Sequence, residues 1–223
     1  MPSLWFDIAH LFAGGVLVLS LVLLYQDRVT AAINVFALQA ITLALSVGWQ
    51  AFIQSEPLLL VTALMALAVK GFVIPMALHR IVRRLDVHRE VERVIGGGAT
   101  MLAGLALVAL SILLLQPVSG GGDVVAHEDI AFALGVVLLG LLMMITRYNA
   151  VTQVIGFMSL ENGLILAATG ARGMPLVVEI SVAFSILIAF IVFGVFVFRI
   201  RERFDTVDVT VLERFRGERR EQG

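Results

Sequence analysis

Two charged side chains lie deep inside long apolar stretches of this sequence. Glu161 falls within the run VIGFMSLENGLILAA, roughly 18 Å along a helix from the nearest charge-bearing loop at about 1.5 Å per residue. Lys70, in LMALAVKGFVIP, lies roughly 15 Å from Arg80 by the same measure. An acid or base near a bilayer centre costs about 2.5 to 3.5 kcal/mol, and such groups typically mark proton or ion pathways. The alternatives for Lys70 are a single structural ion pair or a side chain that reaches toward the interface.

Further polar residues could extend a hydrogen-bonded route from this pair. Asn162 adjoins Glu161, and Gln153 could continue the line toward the cytoplasm. In the last apolar stretch, Glu179 lies about one and a half turns inside the outer end and Ser185 lies deeper. Such groups are equally typical of helix-packing contacts, and Glu179 could be an interfacial carboxylate.

Histidines and acids near the outer boundary have two interpretations. His10 and His127 could transfer protons there, because histidine titrates near neutral pH, or they could simply cap helices and face headgroups. Asp7, Glu128 and Asp129 are expected at helix starts, where a carboxylate complements the positive end of the helix dipole.

The composition places these residues in a membrane protein. The chain has 223 residues, is 60% hydrophobic and 15% charged, and has a mean hydropathy of +1.00, which excludes an ordinary soluble domain. It has no cysteine, so disulfides and cysteine-ligated clusters are excluded. Four scattered histidines do not indicate a metal site, and we expect no cofactor in this chain.

The apolar stretches predict an all-α protein with seven transmembrane helices. They are Leu4 to Leu24, Ala31 to Ile53, Pro57 to Leu78, Val94 to Leu115, Ile130 to Ile145, Val151 to Thr169 and Pro175 to Phe198. The fifth is short, and residues 127–129 and Arg147 are expected at its two ends.

The basic residues predict the orientation. Fourteen of the sixteen fall on one side of this seven-helix arrangement. They are Arg28, Arg80, Arg83, Arg84, Arg89, Arg93, Arg147, Arg199, Arg201, Arg203, Arg214, Arg216, Arg219 and Arg220. Arg172 lies on the other side, and Lys70 lies within a helix. Because basic residues collect on the cytoplasmic side, the N-terminus should be outside and the C-terminus cytoplasmic.

A shift of 122 residues indicates an internal duplication. It pairs Asp7-Ile8-Ala9 with Asp129-Ile130-Ala131 and aligns Gln39 with Glu161, so only one half carries the acid. Gln39 either retains a role in the path or merely bonds its neighbours. One helix separates the triplets, so the two three-helix repeats should run parallel. The predicted divisions are residues 1–85, the first repeat; 86–122, basic loop, linking helix and glycine-rich outer loop; 123–204, the second repeat; and 205–223, a charged tail.

Several motifs resemble one family over almost the whole chain. The run RYNAVTQVIGFMSLENGLILAATG, residues 147–170, followed by PLVVEI at 175–180, closely resembles hydrogenase-4 component E, a membrane subunit of group 4 hydrogenase and formate hydrogenlyase complexes. VKGFVIP at 69–75 resembles that family's intramembrane lysine motif. Val207-Asp208-Val209 and Leu212 resemble its tail.

The last three helices are in turn similar to the K subunit of complex I and the C subunit of multi-subunit cation/proton antiporters. Glu161 corresponds to their membrane glutamate. Their second glutamate falls near Ser185, not on Glu179, so Glu179 either substitutes from a turn and a half away or the second site is absent.

The resemblance implies a non-catalytic membrane-arm subunit of a redox-driven, ion-translocating complex in a bacterial inner membrane. Glu161 would carry a proton, Lys70 would tune its affinity or pass it laterally, and Glu179 would link the path to the outer face. Antiporter-like and quinone-site-like membrane subunits and a hydrophilic redox arm would be partners, with nickel-iron and iron-sulfur centres in those partners. The basic loop and tail would contact that arm or anionic lipid.

Three alternatives remain open from the sequence. The chain could belong to a cation/proton antiporter without redox partners, or it could be a non-conducting spacer. A seven-helix receptor or retinal protein fits the orientation, but the sole lysine lies in the third stretch rather than the last.

Overall fold

A computed structural model describes residues 2–85, 96–115 and 124–170. These parts are helical and contain no strand. The helices are α1 (Pro2–Tyr25), α2 (Val29–Gln54), α3 (Pro57–Met65), a π-helix (Ala66–Val73), α4 (Ile74–Leu85), α5 (Gly97–Leu115), α6 (Val124–Thr146) and α7 (Ala150–Gly170). The seventh predicted helix, with Glu179 and Ser185, and the charged tail lie outside the described residues.

Six helices in this part of the chain are long and apolar enough to cross a membrane. They are Asp7–Tyr25, Val29–Gln54, Pro57–Arg83, Gly97–Leu115, Asp129–Thr146 and Ala150–Thr169. The third comprises α3, the π-helix and α4, which follow one another without a break. The prediction of an all-α protein is confirmed for these residues, and each of the six spans predicted there corresponds to a helix that could cross a membrane.

Two helices extend beyond the spans that the sequence predicts. The third helix continues beyond Leu78 to Leu85, because the segment IPMALHRIVRRL keeps helical spacing while its exposed face becomes basic. The fifth span, Asp129–Thr146, has residues 127–129 and Arg147 at its two ends as predicted, but its helix begins earlier, at Val124. Only its apolar part, Asp129–Thr146, is as short as predicted.

The turn between α2 and α3 shows how the sequence ends one helix and begins the next. Ser55 adopts a left-handed conformation with φ of 55°, and α2 stops there. Glu56 is extended, as expected for a residue before proline, and Pro57 occupies the first turn of α3, where its missing N–H costs nothing.

Equivalent helices of the two predicted repeats pack side by side in the same direction. Between α1 and α6, His10 contacts Asp129 near one end and the Arg147 side chain contacts the carbonyl of Leu24 at the other. Between α2 and α7, Gln39 contacts Ser159 near mid-helix, and Gln54 donates to the carbonyl of Thr169 at the end. The central polar residues therefore lie where α2 and α7 meet.

Glycines allow α6 and α7 to pack with their backbones in close contact. A Cβ added at Gly140 would lie 2.6 Å from the Leu160 amide nitrogen, and one at Gly163 would lie 2.9 Å from the Ala133 carbonyl oxygen. No side chain fits at such distances, so these positions require glycine. The contact of Gly140 with Leu160 therefore helps to fix the position of Glu161, the next residue in α7.

The two ends of the helix bundle have different side chains. At one end Trp5 and Trp49 stack with ring centroids 5.2 Å apart, and Trp49 Nε1 donates to the Trp5 carbonyl at 3.0 Å. The exposed Arg28 lies at the other end of α1. Aromatic residues at one boundary and arginine at the other are typical of helices that cross a bilayer.

Candidate functional site

Lys70 and Glu161 form an ion pair in the interior of the helix bundle. Lys70 Nζ lies 3.3 Å from Glu161 Oε2, and the side chains are 2% and 3% exposed. Each residue is near the middle of its membrane-length helix, so neither charged group reaches water. Separating either charge from its counter-charge would leave an uncompensated charge in the protein interior, at a high cost in free energy. The two side chains are therefore expected to stay in contact.

The π-helix that carries Lys70 has a local cause in the sequence. Pro75 has no N–H with which to bond the carbonyl of Gly71 four residues earlier, and its ring crowds that carbonyl. The backbone widens before it, and the N–H of Ile74 bonds the carbonyl of Val69, five residues back. Short π segments inside α-helices often occur at functional sites. This segment was not predicted from the sequence.

A line of hydrogen bonds connects Lys70 to three other helices. Lys70 Nζ donates to Asn162 Oδ1 at 3.0 Å, and Asn162 Nδ2 donates to Gln39 Oε1 at 3.2 Å. Gln39 Nε2 then donates to Ser159 Oγ at 2.9 Å and to Ser20 Oγ at 2.6 Å. All these side chains are buried. Every bond from Lys70 onward has its donor on the Lys70 side, so the aligned dipoles stabilise a positive charge on Lys70.

The structure brings together four of the six predicted path residues: Glu161, Lys70, Gln39 and Asn162. Glu179 and Ser185 lie outside the described residues. Among the described contacts, Gln153 does not join this line: its exposed side chain donates to the carbonyl of Arg147 at 2.7 Å, which agrees with the alternative of a packing contact.

Ser159 and Ser20 belong to the same cluster and were missed from the sequence. Ser159 could have been found, because it precedes Asn162 by three residues and therefore shares its helix face. Ser20 lies among leucines and valines with no acid or amide near it in the sequence. Its place depends on how α1 packs against α2.

A second polar contact lies near the aromatic end of the bundle. His10 Nδ1 donates to Asp129 Oδ1 at 3.0 Å, and the imidazole packs on Phe132 with ring centroids 4.9 Å apart. Asp129 is therefore part of an inter-helix contact and does more than complement the dipole of its own helix. Apolar buried residues, including Ala13, Val16 and Val136, line the α1 and α6 helices beyond this pair.

We expect the Gln39→Leu substitution to destabilise the folded protein by about 1 to 3 kcal/mol. The change removes three hydrogen bonds from a buried amide and leaves the Asn162 amide group without its acceptor. The free energy of unfolding in SDS titrations would measure it. Ser111→Ala is the matched control, since the buried Ser111 hydroxyl donates only within its own helix, to Val108 at 2.8 Å. Equal losses in the two variants would contradict the network.

Comparison with known proteins identifies the family of this chain. The chain is 31% identical over 210 residues to an uncharacterised protein of Mycobacterium tuberculosis, covering 92% of this chain and 94% of that one. It is 26% identical over 212 residues to hydrogenase-4 component E of Escherichia coli K12 and of Shigella flexneri, covering 94% of this chain and 98% of each. The chain belongs to the hydrogenase-4 component E family.

This result confirms the resemblance seen in the sequence motifs. No family model matches the chain, and no solved structure matches it. Because the similarity to component E extends over nearly the full length of both chains, it covers the helices that carry the buried network. Component E similarity and six membrane-length helices together make this chain a multi-pass membrane protein.

Proposed function

We propose that this chain is a membrane-arm subunit of a redox-driven, ion-translocating complex of the complex I and group 4 hydrogenase type. Its Lys70 and Glu161 pair would form part of a proton path. The relatives named hydrogenase-4 component E support the assignment to a hydrogenase complex. The buried ion pair is the observation that supports a part in translocation.

The net charge of the pair changes when a proton arrives, and this change could drive a proton onward. As an ion pair, its two charges cancel in a medium of low dielectric constant. A proton that reaches Glu161 neutralises the carboxylate and leaves the positive charge of Lys70 uncompensated. This uncompensated charge raises the electrostatic energy of the site. Release of a proton from Lys70, or from the next site, would lower it again and so drive a proton onward. A proton or ion entering from a neighbouring subunit could thus be passed laterally through this chain.

The hydrogen-bonded amides Asn162 and Gln39 are not expected to belong to the proton path itself. Asn162 and Gln39 hold Lys70 by hydrogen bonds but do not titrate, so we infer that they position the ammonium group and do not carry the proton. Glu179 would connect the pair to the outer face, with Ser185 as the alternative position of the family's second site. We therefore expect Glu179→Gln to reduce ion translocation less than Glu161→Gln does.

The arrangement of helices supports the proposed membrane topology. The parallel packing of α1 with α6 and of α2 with α7 supports two parallel three-helix repeats, 1–85 and 123–204. We infer seven spans with the N-terminus outside, because the arginine-rich loops then face the cytoplasm. The membrane would be the bacterial inner membrane.

The redox chemistry would belong to other subunits. We propose antiporter-like and quinone-site-like membrane neighbours and a hydrophilic arm that carries nickel-iron and iron-sulfur centres. This chain would contribute ionisable groups and no catalytic site.

The test is proton uptake by vesicles that contain the intact complex, with wild-type chain or Glu161→Gln. The substitution keeps the shape of the side chain and removes the titrating group. We expect proton uptake per electron to fall at least tenfold in those complexes that assemble and retain electron transfer. Glu56→Gln is the matched control, since Glu56 is an exposed carboxylate in the turn before α3 and makes no capping bond.

Two results would contradict the proposal. If Glu161→Gln leaves proton uptake per electron unchanged, the chain is a non-conducting spacer. If Glu56→Gln lowers uptake as strongly, the effect comes from a general loss of negative charge and not from the buried pair.

A further inference from the structure

A groove of about 400 Å³ runs along the exposed face of the helix that carries Lys70. It begins at Gly71 in the π-helix and ends at Arg83 in α4. The residues between follow the spacing of one helix face. They are Phe72, Pro75, Met76, His79 and Arg80.

The groove is apolar at one end and basic at the other. Phe72 and Met76 are 53% and 54% exposed, and Pro75 forms the floor between them. His79, Arg80 and Arg83 surround the opposite end, and both arginines are exposed. Among the described residues, no acidic side chain lines the groove.

The dimensions of the groove correspond to one leaflet of a bilayer. Gly71 lies beside Lys70, near mid-membrane, and Arg83 ends the membrane-length segment. The distance between them along the helix is roughly 18 Å at about 1.5 Å per residue. Half of a hydrocarbon core about 30 Å thick is close to that length. The apolar end therefore lies at the depth of acyl chains and the arginines at the depth of phosphates.

A pair of arginines at this depth can bind a phosphate group. A guanidinium group offers parallel N–H donors that match two phosphate oxygens. Arg80 and Arg83 are three residues apart, so both can reach one headgroup from the same helix face. The His79 side chain is held against the same helix, because its Nδ1 donates to the Pro75 carbonyl at 2.9 Å.

We propose that this groove is a binding site for one anionic phospholipid of the cytoplasmic leaflet. Its phosphate binds Arg80 and Arg83, and an acyl chain lies over Phe72 and Met76 as far as Gly71. The lipid thereby covers the widened backbone of the π-helix on the side opposite the ion pair. This site is independent of proton transfer, so its test and the pumping test can fail separately.

The first experiment is native mass spectrometry of the purified full chain titrated with phosphatidylglycerol or with phosphatidylcholine. We expect one phosphatidylglycerol to bind more tightly than phosphatidylcholine. Arg80→Gln and Arg83→Gln should each weaken its binding by about fivefold, the effect of one arginine near an anionic headgroup. Arg28→Gln is the matched control, since Arg28 is exposed in the α1–α2 turn and outside the groove.

Two outcomes of this titration would overturn the proposal. One is equal affinity for the two lipids. The other is an equal loss in the Arg28→Gln control, which would indicate general charge attraction and no site.

A second experiment identifies the occupant in the intact complex. A diazirine-bearing residue in place of Met76 is photoactivated in membranes that contain phosphatidylglycerol. A lipid adduct on this chain supports the site. A protein adduct would show that the groove is a subunit contact and would overturn the proposal.

Discussion

Substituting Lys70 by methionine should destabilise the folded protein by about 3 to 5 kcal/mol, because it leaves the Glu161 carboxylate buried without its counter-charge. The change also removes the hydrogen bond of 3.0 Å that Lys70 Nζ donates to Asn162 Oδ1. The free energy of unfolding can be measured by SDS titration in detergent micelles. The fluorescence of Trp5 and Trp49 reports the transition, since the two rings stack between α1 and α2.

The double variant Lys70→Met with Glu161→Leu separates the pair from general packing. Replacing both charges with apolar groups of similar volume is expected to recover most of the loss, to within about 1.5 kcal/mol of wild type. Arg28→Met is the control, because it removes an exposed positive charge from the same chain and should change stability by less than about 0.5 kcal/mol. A double variant no more stable than Lys70→Met would show that the two charges do not stabilise one another.

The double variant also bears on function. It should fold and assemble yet fail to support proton uptake, since no titrating group is left at the centre. Stability and translocation would then depend on the same two residues in different ways. Retained proton uptake in the double variant would contradict the proposed path.

Substituting Gly140 by alanine should destabilise the protein by about 3 kcal/mol, near the upper end of the usual cost of overpacking. The new Cβ would lie 2.6 Å from the Leu160 amide nitrogen and 2.8 Å from the Gly156 carbonyl oxygen. Because both atoms are backbone, no side-chain rotation relieves the contact and α7 must move away from α6. The shift would carry Glu161 with it and should therefore also lower proton uptake.

Gly14→Ala is the matched control for this prediction. A Cβ at Gly14 would meet Phe132 at 3.8 Å, an ordinary van der Waals contact. Since alanine favours the helix over glycine by about 1 kcal/mol, we expect this variant to be as stable as wild type or more so. If SDS titration gives the two variants the same stability, the backbone contact between α6 and α7 is not a constraint.

The number of spans and the buried ionisable residues could be predicted from the sequence more fully than the helix ends could. Hydropathy is a local property, so the six spans in the described residues could be predicted from composition and length. Glu161 and Lys70 were recognisable because a charge within an apolar run is costly wherever the helix packs. Helix ends followed less directly, as α6 shows, because the helix begins at Val124 and continues through the polar residues 127–129.

The partners of each side chain could not be derived from the sequence. Lys70 and Glu161 are far apart along the chain, and hydropathy carries no information on which helix faces meet. Lys70 lies in the π-helix before Pro75, where a Cβ added at Gly71 would lie 3.4 Å from Ile41 Cγ1 of α2. Ser20 joins the network only because α1 packs against α2 beside Gln39.

The sequence by itself therefore determined that this protein lies in a membrane, which of its residues are ionisable at mid-depth, and which family it resembles, because these depend on residue type and local spacing. Only the tertiary structure decided that Lys70 contacts Glu161, that Asn162 and Gln39 hold it, and that Gly140 places α7 against α6. Those contacts depend on the packing of helices distant in the chain.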